Sequence, residues 1–311
     1  MKKQRLVRIV SILSVLFSAL VLASALLPAE ESTGILYRVS GGRQNMYLLG
    51  SIHVGSKEMY PFGDAIQQAL KEAEMLVFEC DTQSAEAADV TARMMRYDGQ
   101  TLGDHVSAAC MTSVKSVAQK LGYDMEAFET LKPWAVTSLL SMDTLSAEMG
   151  TKDVHEAASL GVETMVRKQV GNKPVFYLET AQEQFSILDS FSPELQEYLL
   201  VSACEAILSP ETAVDEELAM WPDWWKSGNA RTFADSYLAG LAREEKPELA
   251  FEYHDALITG RNHSMAQKLQ TLLEGDNSCF VTVGLMHLAL PEDSILTELE
   301  AMGYQVEKIE N

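Results

Sequence analysis

The sequence predicts an α/β domain built on a mixed β-sheet with covering helices, a helix-rich α+β arrangement being the alternative. Two observations point there. A strand, helix, strand pattern opens the chain after its leader, and a strand, Gly-x-x-His, helix, strand order closes it. A third is the intervening stretch from about residue 85 to 160, rich in Ala, Met and Leu at helical spacing. A chain of 311 residues that is 47% hydrophobic can bury a substantial core, which excludes disorder as an overall description.

In order along the chain, Gly34 to Val39 and Met46 to Ile52 read as strands, joined by Ser40-Gly41-Gly42-Arg43-Gln44-Asn45, whose glycines and Asn suit a hairpin loop. Pro61 stops the extended structure. Asp64 can cap a helix through Glu74 that places Ile66, Ala69, Leu70 and Ala73 on one face. Met75 to Phe78 is a short apolar strand ending at Glu79, so His53 and Glu79 fall at the carboxyl ends of successive strands, where α/β sheets gather ligands. Gly103, Gly122 and Pro133 break the helical stretch beyond it, and Gly161-Val162-Glu163 and Pro174 to Leu178 can return to short extended pieces. Helical periodicity resumes over Thr180 to Leu208, with Ser192-Pro193-Glu194 as a helix start. Trp221, Trp224 and Trp225 suit core or interface packing. Phe251 to Leu273 is one long helical pattern closed by Glu274-Gly275-Asp276-Asn277. Then come a strand at Cys279 to Val283, a helix at Ser294 to Met302 and a last strand at Tyr304 to Ile309.

Residues 1–25 carry Lys2, Lys3, Arg5 and Arg8, then an apolar run from Ile9 to Leu22 interrupted only by serines, then Ala23-Ser24-Ala25. This is the pattern of a secretory signal peptide, with an uncleaved N-terminal membrane anchor as the alternative because the apolar stretch extends through Leu27. Either way the chain is expected to be exported, to the cell envelope or beyond. Without those four basic residues the formal charge goes from −21 to −25, so the body is strongly acidic and disfavours nucleic acid as a partner. Cys80, Cys110, Cys204 and Cys279 form no C-x-x-C pair, and Cys80 and Cys279 sit in strand-like runs where small buried side chains are expected.

The chemistry gathers at two separated Gly-x-x-His motifs, Gly50 to His53 and Gly284 to His287. A histidine just beyond a buried strand, with glycine three residues before it, lies where the backbone must turn sharply and a ligand can approach. Either histidine alone is more often a satisfied polar residue. Two strand-end examples make a stronger case, since imidazole is a common metal ligand. Glu79, within an apolar segment, needs a partner, and a metal or a proton would supply one. Asp81 is as well explained by a helix start. Arg261 could meet a substrate carboxylate or an oxyanion and Asn262 could orient a ligand, although a surface Arg-Asn pair is the plainer reading. His105, His155, His254 and His263 lack the strand-end context. No His-Glu-x-x-His, Gly-x-Ser-x-Gly or Walker motif is present in the sequence.

Tyr47-Leu48-Leu49-Gly50-Ser51-Ile52-His53, Phe78-Glu79-Cys80-Asp81, Leu178-Glu179-Thr180 with Gln184, Arg261-Asn262, and Val283-Gly284-Leu285-Met286-His287-Leu288 followed by Gly303-Tyr304 together resemble the TraB/GumN family. The resemblance spans the chain from about residue 34 to 311. That family is similar to the Tiki metalloproteases and more distantly to the erythromycin esterase and ChaN-like group. The resemblance implies a metal-dependent hydrolase, with His53, Glu79 and His287 as the functional residues and Arg261-Asn262 as a further motif. Gly161-Val162-Glu163 stands where many relatives have Gly-x-Asp.

The leading expectation is therefore a mixed sheet that brings His53, Glu79 and His287 around a divalent ion such as manganese, cobalt or zinc. The ion would activate water, Glu79 would ligate it or take the proton, and Arg261 would be a catalytic partner. The resemblance makes the expected substrate an extracytoplasmic peptide or protein, with the N-terminal segment touching the membrane. The competing expectations are a non-catalytic binding protein for a signalling peptide, metal or haem, and a purely structural envelope protein.

Overall fold

The computed structural model describes residues 31–81, 84–148, 150–209, 220–244 and 246–310; the leader expected over residues 1–25 lies outside the described residues. The first hairpin pairs β1 (Leu36–Ser40) antiparallel with β2 (Met46–Ser51). Helix α1 (Asp64–Glu72) and β3 (Met75–Cys80) complete the opening unit. Gly63, rather than Asp64, is the N-cap of α1. Asp64 stands in the first turn, where its charge complements the positive end of the helix dipole.

Next come α2 (Ala85–Met94), α3 (Ala108–Leu121), α4 (Met125–Glu129), α5 (Pro133–Glu148), α6 (Val154–Ser159) and α7 (Val162–Val170). The breaks fall where expected. Gly122 ends α3 in the left-handed conformation at φ 76°, and Pro133 opens α5. The extended piece expected at Gly161-Val162-Glu163 is instead the start of α7, with Gly161 as its N-cap. Packing explains the difference: a Cβ on Gly161 would come within 2.2 Å of the His53 carbonyl oxygen, and the Val162 N–H donates to Ile52 O at 3.1 Å. Only glycine lets α7 begin against the end of the second strand segment.

Strand β4 (Val175–Glu179) is followed by α8 (Ala181–Asp189) and α9 (Pro193–Leu208), whose Ser192 cap and Pro193 fit the expected helix start. Then come α10 (Trp221–Lys226), α11 (Ala230–Arg243) and α12 (Pro247–His254). The long helix expected from Phe251 is interrupted by a π-helical turn at Asp255–Thr259, after which α13 (Gly260–Leu273) continues. Strand β5 (Cys279–Gly284), the short α14 (Met286–Ala289), α15 (Ile295–Ala301) and β6 (Gln305–Ile309) close the chain.

The strands form one mixed sheet in the order β4-β3-β5-β2-β1-β6, in which β4, β3, β5 and β2 are parallel and β1 is antiparallel to both its neighbours. This is the predicted α/β architecture. One face packs on α1, α7, α10 and α11 through residues such as Ile66, Val162, Trp225 and Phe233. The other face packs on α13 and α15. Met265, Leu269 and Leu273, at i, i+4 and i+8, form the inward stripe of α13, each worth roughly 1.5–3 kcal/mol when fully buried. A third core, including Cys110, Trp134, Leu140 and Cys204, is built mainly from helices, away from the sheet strands. Trp225 is fully buried and its indole N–H donates to Gly50 O at 2.7 Å; Trp221 and Trp224 are partly buried against the same core, their rings against Phe233. All four cysteines are buried and unpaired. Among the described residues, no helix is long and apolar enough to cross a membrane.

Candidate functional site

The carboxyl ends of the four parallel strands deliver the polar residues. Register pairs Ser51 on β2 with Gly284 on β5, and the Leu285 N–H donates to Ser51 O at 2.9 Å, so the two Gly-x-x-His motifs lie side by side although 234 positions separate their histidines. Neither Gly50 nor Gly284 has a positive φ. Close approach explains them instead of a sharp turn: a Cβ on Gly50 would sit 2.5 Å from Leu285 Cδ1, and one on Gly284 3.0 Å from Glu79 Oε1. Glu79 ends β3 and Glu179 ends β4. The π-helical turn precedes Arg261 and Asn262 in α13, and inserting about one residue in a helix rotates the downstream side chains by about 100°. Both residues are buried, at 8% and 1% exposure, so the surface pair favoured by local sequence is not what forms.

These residues make a buried inner network. The Glu79 Oε2 accepts from Arg261 Nη2 at 2.8 Å and from Gln184 Nε2 at 3.3 Å, while Oε1 accepts from the Gly284 N–H and lies 3.8 Å from His287 Nε2. Glu179 accepts from Arg261 Nε at 3.0 Å and Nη2 at 2.5 Å. Arg261 Nη1 donates to Leu257 O at 3.0 Å and to His287 Nε2 at 3.1 Å. All five N–H groups of the guanidinium are thereby committed within the protein, leaving none for a substrate oxyanion in this arrangement.

The network also sets the state of His287. Its Nδ1 lies 2.6 Å from Asn262 Oδ1, which can only accept, so Nδ1 carries the hydrogen and Nε2 is the acceptor for Arg261. Burial, against the weaker pull of Glu79, lowers its pKa to about 4, so His287 is neutral at pH 7. Burial works against the charge of Glu79, but His287, Arg261 and His53 with the Gly284 N–H outweigh it and hold that carboxyl down at about 2. With His287 neutral, Arg261 is the permanent cation in the set. Burial first, then Glu79 and Glu179, push the neighbouring Cys80 thiol up to about 12; its Sγ donates to Gln184 Oε1 at 2.8 Å.

His53 has a different setting. Its side chain is 68% exposed, and its Nδ1 lies 3.0 Å from Glu163 Oε1, which also accepts from Ser51 Oγ at 2.6 Å. Glu163, in the first turn of α7, raises the imidazole to about 9, and His53 in turn helps keep Glu163 ionised. His53 also stands close enough for its charge to act on Glu79 and His287. Asp81 is elsewhere in role, accepting from the Ser84 N–H at 3.1 Å at the start of α2.

The structure thus brings His53, Glu79, His287 and Arg261 to one strand-end cluster. It adds Glu163, Ser51, Glu179 and Gln184, for which sequence reasoning assigned no role. The signal for Glu163 was its place in a segment that stands where many relatives have Gly-x-Asp, and the signal for Glu179 and Gln184 was their place among the motifs that carry the resemblance. The divalent ion that the resemblance implies finds no ready donor set: among the described residues, no group of three or more His, Cys, Asp or Glu side chains is arranged to hold a metal. Glu79 Oε2, both oxygens of Glu179 and His287 Nε2 are turned to one guanidinium, Glu79 Oε1 to the Gly284 N–H, and His53 Nδ1 to Glu163.

Comparison with known proteins places this geometry in context. Residues 35–308 match the family described as TraB/PrgY/gumN. The protein named "Uncharacterized protein YbaP" from Escherichia coli (strain K12) is 22% identical over 249 residues, covering 79% of this chain and 85% of the relative; the YbaP of Shigella flexneri matches to the same extent. An uncharacterized protein of Treponema pallidum (strain Nichols) is 22% identical over 179 residues, covering 56% of this chain and 51% of its own length. No solved structure matches the chain.

Proposed function

The chain belongs to the TraB/PrgY/gumN family, and from that premise and the strand-end geometry we propose that it is an exported hydrolase acting on an extracytoplasmic peptide or protein. One observation carries the reading. An exposed imidazole is oriented by a carboxylate at the rim of a buried, charged network, which is the placement a proton-transfer group needs. Nδ1 of His53 is held by Glu163, so Nε2 is the nitrogen left to take a proton from an attacking water. Glu163 stabilises the imidazolium that forms, and the same nitrogen then returns the proton to the leaving amine. The Glu79–Arg261–His287 network fixes the wall behind it without itself exchanging protons near neutral pH. The leader of residues 1–25 supports export.

Because Glu163 holds the imidazole at about 9, the fraction of His53 able to act as a base climbs about tenfold per pH unit below that value. Incubation of the purified protein with a mixed peptide library, followed by mass spectrometry between pH 6 and 10, tests the reading. Cleavage that rises toward pH 9 and disappears in His53→Gln is the expected result. Peptide capture without cleavage would instead favour a binding protein, and cleavage indifferent to His53→Gln would remove the histidine from the mechanism.

A further inference from the structure

We infer that Arg261 is a built-in cation that takes the place of a divalent metal ion, and that removing its guanidinium converts the buried network into a metal site. The inference rests on the geometry of the inner network and holds whether or not the chain hydrolyses a peptide. Three groups of the kind that bind such ions, the Glu79 and Glu179 carboxylates and the His287 Nε2 lone pair, converge on this one side chain. Each lies within hydrogen-bond reach of it: Glu79 Oε2 at 2.8 Å, Glu179 Oε2 at 2.5 Å and Nε2 of His287 at 3.1 Å. Asn262 holds the hydrogen on Nδ1 of His287, presenting Nε2 as an acceptor in the form a metal would need.

Charge makes the same point. The buried Glu79 and Glu179 carboxylates share the one Arg261 guanidinium, at 2.8 and 2.5 Å, and would lose that cation together on its removal, a deficit a divalent ion would fill. Arg261 Nη1 also donates to Leu257 O at 3.0 Å, so main chain as well as charge holds it in the network.

Equilibrium dialysis of the purified full chain against manganese, cobalt or zinc, with bound metal counted by mass spectrometry, tests this directly. The wild type is expected to keep no ion that His287→Ala removes, because surface acids hold metal independently of His287. Arg261→Ala is expected to keep about one ion per chain, and Arg261→Ala/His287→Ala to lose it. A wild type that holds about one ion per chain and releases it on His287→Ala overturns the inference, as does a folded Arg261→Ala with no gain in binding. Circular dichroism establishes whether Arg261→Ala folds. If it does not, the wild-type and His287→Ala arms decide alone, retention of a His287-dependent ion overturning the inference and its absence upholding it.

Discussion

His53 and His287 occupy the same position in the same four-residue motif, at the ends of neighbouring parallel strands, yet the protein drives them to opposite states. One is 68% exposed and held toward the charged form by a carboxylate; the other is 3% exposed and held neutral by burial. A shared spacing sets where the backbone delivers an imidazole, while the residues that meet it decide its chemistry. Glu163 meets the first, and Asn262 and Arg261 meet the second.

The contrast can be broken most severely at the cation. Arg261→Met leaves Glu79 and Glu179 buried without their partner and should lower folding stability by about 3–5 kcal/mol in chemical denaturation. A loss under about 1 kcal/mol would mean that the network is solvated. Next in size is His287→Ala, which strands Asn262 Oδ1 and one Arg261 N–H and should cost about 1–3 kcal/mol. His53→Gln, exposed to solvent, should change stability by less than about 1 kcal/mol while abolishing the proposed hydrolysis. If the two histidine variants were equally destabilised, the division into a buried and an exposed member would fail.

The pH dependences should run in opposite directions. The folded pKa of His53 lies above its ordinary 6.5, so its contribution to stability is present below 6.5 and lost as pH rises through about 9. The folded pKa of His287 lies below 6.5, so its contribution is present above 6.5 and lost as pH falls through about 4. Melting curves of wild type should lie slightly above those of His53→Gln below about pH 6.5 and converge with them as pH rises through about 9. The smallest effect on stability belongs to Glu163→Gln, whose signature is kinetic. Without the carboxylate, the rise of activity with pH should level off near 6.5 rather than 9. An unmoved profile would assign that rise to another group.

Much of this arrangement was legible because it depends on local pattern. Short apolar runs that stop at Glu79 or just before His53 and the Gly284 to His287 motif marked strand ends, and strand ends converge in a parallel sheet. Arg261 and Asn262 were harder. Their local surroundings, Gly260 and the exposed His263, look like surface, and a π-helical turn of ordinary composition precedes them as α13 meets the sheet. Glu163 was obscured for a related reason. Val162 and Gly161 suggested an extended piece, and only the backbone contact between Gly161 and His53 explains why a helix begins there. Pairings between distant segments are not written in composition. The spacing of residues within one element is.

The pairing of β2 with β5 also has a consequence for biogenesis. As the chain emerges from its amino end, the segment carrying His53 must wait for nearly all the remaining residues before its parallel neighbour exists, and β1 waits longer still for β6. The middle helices, with a core of their own, can pack during that interval. The polar cluster is therefore among the last features to be completed, so a truncated chain would contain His53 and Glu79 with nothing to close around them.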